Sequence, residues 1–137
     1  MSQRPMPHIT AVNRPFWEAC NRGILALQRC ASPACGKFIF YPRVCCPHCG
    51  SGDLEWTPVS GRGELVSYTK VYRPQHDSFR SEIPIYFIAV RLAEGPLLYS
   101  RLSQHPESDE GLIGRPVKVS FPESGDAQKL PFFELEA

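Results

Sequence analysis

The chain has 137 residues, 42% of them hydrophobic and 21% charged, with a formal net charge of +1, the profile of one globular domain or of two small units sharing a core. No apolar run approaches the roughly 20 residues of a membrane-spanning helix. The opening MSQRPMPHIT lacks the apolar stretch and small-residue cleavage site of a secretory signal, so the expected compartment is the cytoplasm.

Residues 1–8 are proline-rich and are expected to be loose. From Ala11 to Gln28, Phe16, Trp17, Cys20, Ile24 and Leu27 recur at steps of three and four. That spacing predicts a helix with one apolar stripe, capped by Asn13 and with Pro15 in its first turn. Gly23 interrupts the pattern, leaving one helix with a weak point or two short ones. Cys20, on the stripe, reads as a buried core thiol.

Residues 30–50 hold a cysteine cluster, with KFIFY as their one strand-like stretch. After Gly52 come short β-like runs: LEWTPV (54–59), GELVSYTKVYRP (63–74), IYFIAVRLA (85–93), PLLYSRL (96–102), PVKVSF (116–121) and LPFFEL (130–135). Each is bounded by Gly, Pro, Ser or Asp, and Glu94-Gly95 reads as a hairpin turn. About five strands over some 80 residues predict a small, partly closed barrel, for which the OB-fold is the commonest architecture.

Four of the six cysteines form two close pairs, Cys30-x4-Cys35-Gly36 and Cys46-x2-Cys49-Gly50, with ten residues between them. Without an export signal, metal-ligand spacing explains these pairs better than disulfides. Two turns brought face to face by a hairpin supply the four soft ligands that zinc takes in a tetrahedron, and the glycines free backbone amides to approach the sulfurs. Four thiolates leave no open position for water, so the zinc is structural. Iron accepts the same ligands, but nothing in the chain suggests an electron-transfer partner. Cys45 is read as a non-ligand, because Pro47 directly after Cys46 suits the ribbon turn, and His48 is expected to point outward. A ribbon of some 21 residues is too short to hold itself by apolar burial and needs the metal as its core. The expected fold is mostly β: an N-terminal tail and helix (1–28), a zinc ribbon (29–52) and a small OB-fold barrel (53–137).

No nucleophile elbow, phosphate loop or dinucleotide fingerprint is present, and no catalytic residue is assigned. His76-Asp77 reads as a polar loop between strands more readily than as an acid–base couple. The acidic run Glu107, Asp109 and Glu110 reads as a solvated loop. Phe16, Trp17, Phe38, Phe40 and Tyr41 offer aromatic area for a partner interface or for internal packing. Residues 1–80 carry ten Lys/Arg against five Asp/Glu, and residues 81–137 five against nine. The basic part can face phosphates but lacks the clustered stripe of a dedicated DNA binder. Arg62, Lys70 and Arg73 either meet a phosphate or are solvated.

The order PFWEACNRGILALQRC, a cysteine ribbon ending CPHCGSGDLEW, VSGRGELVSYTKVYRP and then IGRPVKVSF resembles the DUF35 family over about Phe16 to Phe121. The first cysteine turn departs from the family pattern, with four intervening residues where two are usual. The resemblance implies a rubredoxin-like ribbon joined to an OB-fold. It also implies a role beside thiolase-superfamily enzymes (thiolases, acyltransferases, retro-aldolases) in acyl-CoA metabolism, with the catalytic residues on the partner. The expected protein is a non-catalytic accessory subunit in a hetero-oligomer, with acyl-CoA as a further candidate ligand at residues not assigned. The alternative is a module for single-stranded nucleic acid, with Tyr68, Tyr72 and Phe79 stacking on bases. The acidic C-terminal part and a pI of about 7.6 weigh against it.

Overall fold

Where the periodicity predicts a helix from 11 to 28, the computed structural model, which describes residues 6–123 and 128–136, holds a helix, α1, only over Arg14–Asn21. Gly23 ends it. At φ +75° it occupies the left-handed region, and the Gly23 and Ile24 amides turn back to Cys20 and Ala19 carbonyls. Ala26–Cys30 then forms strand β1. Extending the helical stripe through Gly23 therefore misplaced Ile24, which is exposed, while Leu27 is buried as a strand residue. Asn13 sits at the cap position without capping α1. Its carboxamide oxygen accepts instead from the Thr10 N–H at 2.7 Å, fixing the turn before the helix. Of the expected loose tail, residues 1–5 lie outside the described residues.

β1 is the centre of a three-stranded antiparallel sheet, with β2 (Phe38–Ile39) on one side and β3 (Leu54–Pro58) on the other. The run LEWTPV is thus a strand, as expected, but it closes the ribbon sheet and is no part of the OB sheet. The second sheet comprises β4 (Arg62–Val71), β5 (Ile85–Leu92), β6 (Leu97–Arg101), β7 (Pro116–Ser120) and β8 (Phe132–Leu135). Its order is β6-β5-β4-β7-β8, antiparallel throughout. A bulge between Leu65 and Ser67 bends β4. The expected turn at Glu94-Gly95 joins β5 to β6, with the Gly95 N–H donating to the Leu92 carbonyl.

The sheet does not close into a barrel, which corrects the expected closure. Between β6 and β8 there is only an isolated bridge, Leu102 to Phe133. Pro131, just before β8, has no N–H to continue a ladder. Its carbonyl accepts from the Ser100 hydroxyl at 2.6 Å instead.

Phe16 and Cys20 from α1 and Leu25 and Leu27 from the β1 approach share one buried cluster with Leu65, Ile88, Val90, Val117 and Phe133. The stripe on the helix therefore covers the OB sheet. A separate, much smaller cluster holds Cys30, Ile39 and Cys46, with Cys35 and Leu54 against it. Among the described residues no helix is long and apolar enough to cross a membrane.

Candidate functional site

Cys30 is the last residue of β1, and Cys35 follows in the turn that leads to β2. Cys46 and Cys49 lie in a turn closed by the Cys46 N–H to the Ser51 carbonyl and the Gly50 N–H to the Cys46 carbonyl, both 2.8 Å. Gly36 and Gly50 adopt φ +68° and +81°, conformations that a side chain at these positions would strain. The two turns bring the four sulfurs within 4.8 Å of one another, with Cys30 to Cys49 at 3.5 Å and Cys35 to Cys46 at 3.8 Å. A tetrahedron of Zn–S bonds of about 2.3 Å spaces neighbouring sulfurs about 3.8 Å apart. The donor set and its spacing therefore fit a tetrahedral zinc, and the wider first turn does not displace Cys35. Cys45, adjacent to Cys46, is exposed, while Cys46 is 1% exposed. His48 is also exposed, and its backbone N–H points at the Cys46 sulfur at 3.4 Å.

The thiols of Cys46 and Cys49 are shifted in opposite directions. Burial raises Cys46, but the amides of Cys49 and His48 and the neighbouring thiols outweigh it and hold this thiol at about 7. The Ser51 amide lowers Cys49, yet the thiols around it, Cys30 foremost, push it up to about 12. A bound dication displaces these protons. Cys20 lies in the core as expected, where burial pushes its thiol up to about 12.

Two adjoining clefts border the ribbon. The first, of about 810 Å³, runs between the start of α1, the loop 40–47 and the edge of the OB sheet where β6 and β8 stay apart. Phe16, Trp17, Phe40 and Tyr41 of the expected interface set line it, together with Val44, Tyr99 and Phe132. Phe16 is 3% exposed and serves the core, while Tyr41, Val44 and Tyr99 are 58%, 76% and 53% exposed. Phe38 lies apart, in the second cleft of about 730 Å³ between the ribbon and the β5–β6 hairpin, whose walls include Lys37, Arg43, Arg91 and Glu94. The two clefts share Phe40, Arg43 and Pro47.

Sequence reading missed Gln28. It is 6% exposed, the one buried polar residue among those described. Its carboxamide accepts from the Arg43 N–H at 2.7 Å and donates to the Arg43 carbonyl at 2.8 Å, so β1 clamps the loop between the clefts. A glutamine at inward strand parity was the available signal, hidden by the helical reading of that segment.

Arg62, Lys70 and Arg73 do not gather at a cleft. Lys70 pairs with Asp109 at 2.8 Å and Arg62 with Glu136 at 3.8 Å, and Arg73 is exposed. Asp109 is not merely solvated, since it also accepts from the Tyr86 hydroxyl. Lys70 foremost, then Tyr86, hold its carboxyl below the ordinary range. His76 and Asp77 turn to separate partners, Ser78 and Arg80, as a polar turn does.

With this geometry in hand, comparisons with known proteins agree on one architecture. A family model for the ChsH2 rubredoxin-like zinc ribbon domain matches residues 17–55, and one for the ChsH2 C-terminal OB-fold domain matches 56–122. A probable enoyl-CoA hydratase alpha subunit from Thermomonospora curvata is 37% identical over 131 residues, covering 95% of this chain and 39% of that protein. A DUF35 domain-containing scaffold protein from Pyrococcus furiosus is 33% identical over 79 residues, 56% of this chain and 57% of its own length. The chain thus spans less than two thirds of these relatives. The structure named Ltp2-ChsH2(DUF35) aldolase superposes with a TM-score of 0.82 at 34% identity, covering 95% of this chain and 98% of that one. A DUF35-family protein of unknown function from Sulfolobus solfataricus shares the fold at a TM-score of 0.60 and 15% identity, over 92% of this chain and 86% of its own.

Proposed function

The chain belongs to the DUF35 family, of the ChsH2 type that joins a rubredoxin-like zinc ribbon to an OB-fold, and from that membership we propose that it is a non-catalytic, zinc-stabilised subunit of a thiolase-superfamily enzyme in acyl-CoA metabolism. The observation that carries the proposal is the likeness, over nearly the whole of both chains, to the ChsH2(DUF35) structure of an aldolase named with a second component, Ltp2. The name of the Thermomonospora relative, an enoyl-CoA hydratase subunit, supports the acyl-CoA setting. The exposed Tyr41, Val44 and Tyr99 around one groove support a docking surface, because solvated single hydrophobics rarely cluster this way. Zinc ligation by Cys30, Cys35, Cys46 and Cys49, contact with acyl-CoA, and a cytoplasmic setting that keeps thiols reduced are parts of the same reading. So is the division of the chain, with one adjustment. The pairing of β1 and β3 in one sheet supports drawing the ribbon over 26–58, with the tail and helix before it and the OB-fold after it.

Co-expression with a thiolase-like protein encoded beside it tests the proposal. The expected result is a stable hetero-oligomer whose thiolase-type or retro-aldolase activity falls when this chain is withheld. A chain that stays apart from every such candidate, none of which gains activity from it, sinks the idea.

A second reading draws on one feature. Phe87 and Tyr99 stack in parallel on the outer OB face, 5.9 Å between centroids and 4° apart in plane, and both are exposed. Bases of a single strand stack on such platforms. Salt-dependent binding of an oligonucleotide that Phe87→Ala abolishes is the result this reading requires.

A further inference from the structure

The four sulfurs of the ribbon are unequally shielded. Cys30 and Cys46 are each 1% exposed, Cys35 is half-buried and Cys49 is exposed. The turn that carries Cys49 is open, since a Cβ added at Gly50 would meet no atom within 4 Å. An oxidant in solution therefore reaches the Cys49 sulfur first, and the Cys30 sulfur lies 3.5 Å from it. An accessible thiolate beside a second cysteine is the arrangement of a redox sensor. Cys45, although exposed, stands outside the four-sulfur cluster. The same elements hold loop 40–47. On β1, Gln28 stands two residues before Cys30, and it grips the Arg43 backbone at both N–H and carbonyl, 2.7 and 2.8 Å away. The loop leads on to Cys46, whose N–H donates to the Ser51 carbonyl at 2.8 Å. Little apolar burial backs these contacts, because the ribbon cluster is only Cys30, Ile39 and Cys46 with Cys35 and Leu54 against it. Metal ligation and the position of the loop, with exposed Tyr41 and Val44 on it, therefore depend on each other.

We propose that the ribbon is a thiol switch, in which a peroxide joins Cys49 to Cys30, releases the metal and loosens loop 40–47. The Cys49 thiolate attacks one peroxide oxygen; the O–O bond breaks, an S–O bond forms, and the other oxygen leaves as water, or as alcohol from an organic peroxide. The Cys30 thiolate then attacks the Cys49 sulfenic acid. An S–S bond forms, the S–O bond breaks, and hydroxide leaves and takes a proton to become water. Two electrons pass from the sulfur pair to the peroxide, and two protons come from solvent. Cys35 and Cys46 remain as the only ligands, too few for a closed tetrahedral site. A reducing dithiol reverses the disulfide and lets the site reload. The consequence for a partner, weaker docking in the oxidised state, rests on the reading of the Tyr41 and Val44 groove as a docking surface; the switch itself does not.

Treatment of the zinc-loaded full chain with hydrogen peroxide tests the switch, read by zinc released to a chromogenic chelator, by disulfide mapping of tryptic peptides and by amide hydrogen exchange. The expected result is one zinc ion lost for each Cys30–Cys49 disulfide formed, with exchange across 40–47 at least about tenfold faster and β4 and β5 still protected. Dithiothreitol with added zinc should restore the slow exchange. Cys45→Ser should respond as the parent does. Gln28→Leu should hold zinc under reducing conditions yet exchange rapidly across 40–47 before any peroxide is added. Should that variant fail to fold by circular dichroism, the measurements on the parent chain decide alone. The inference is overturned by zinc that stays bound through the treatment, by a disulfide between any other pair, by oxidation of Cys49 without a disulfide, or by metal loss that leaves 40–47 protected. Because the isolated chain is oxidised, failure to find a thiolase-like partner leaves this result standing, and the two readings fail separately.

Discussion

Cys45 and Cys46 are chemically identical neighbours that the fold separates, one exposed and one 1% exposed beside three other sulfurs. Replacing Cys46 with serine removes a thiolate and leaves a poor ligand at a buried position, so the site should lose its metal. Cys45→Ser should retain it. Zinc per chain by elemental mass spectrometry separates the two, and metal loss in Cys45→Ser alone would reverse the assignment. This much was legible from the Pro47 and Gly50 that frame the turn. Gln28 was not, because its value depends on which carbonyl and amide lie opposite, and those belong to Arg43, fifteen residues further along.

At the scale of elements, strand alternation and turn residues located every β-strand of the OB sheet, while helical periodicity overran its end at Gly23. Close approach explains another glycine. A Cβ on Gly63 would lie 2.5 Å from the Arg91 carbonyl oxygen and 2.7 Å from Val90 Cγ1, where β4 and β5 pair. Gly63→Ala should therefore cost about 1–3 kcal/mol, as overpacking usually does, measurable as a lowered denaturation midpoint; an unchanged midpoint would mean that β5 yields freely. The loop before β7 is tied to the sheet by Asp109, which accepts from Lys70 of β4 and Tyr86 of β5. Because these partners depress the folded-state pKa of Asp109, its contribution is present above the unfolded value of about 3.9 and is lost as pH falls through the folded value. Lys70, shifted upward chiefly by Asp109, contributes below its unfolded value of about 10.4 and loses that contribution as pH rises through its folded value. Asp109→Asn should thus be less stable than the parent at pH 7, with the gap closing below about pH 4. A gap independent of pH in urea titrations would remove the ion pair from the account.

The whole molecule has two cores of unequal strength. The larger unites α1, β1 and the OB sheet, while the smaller consists of Cys30, Ile39, Cys46 and two flanking residues. A nucleus that small cannot hold a ribbon by apolar burial alone, so the metal must supply the difference. Chelation of the metal is expected to release amide protection around Cys30–Leu54 first, with β4 and β5 still protected in hydrogen exchange. Loss of protection in both regions at once would show the two cores to be a single cooperative unit. A ribbon loosened in this way also frees loop 40–47 and with it one wall of both clefts.

Legible from the residues alone were the four cysteines at metal-ligand spacing, the β character, the turn positions and the family. Each of these depends on neighbours a few residues apart, where spacing, glycine freedom and alternation act directly. The tertiary structure alone decided that Leu54–Pro58 closes the ribbon sheet, that the OB sheet stays open between β6 and β8, and that Phe16 is core while Tyr41 is surface. It alone brought Lys37, Arg43 and Arg91 to one cleft. Those outcomes depend on which distant segments meet, and local periodicity is the same whichever surface a strand or an aromatic ring finally covers.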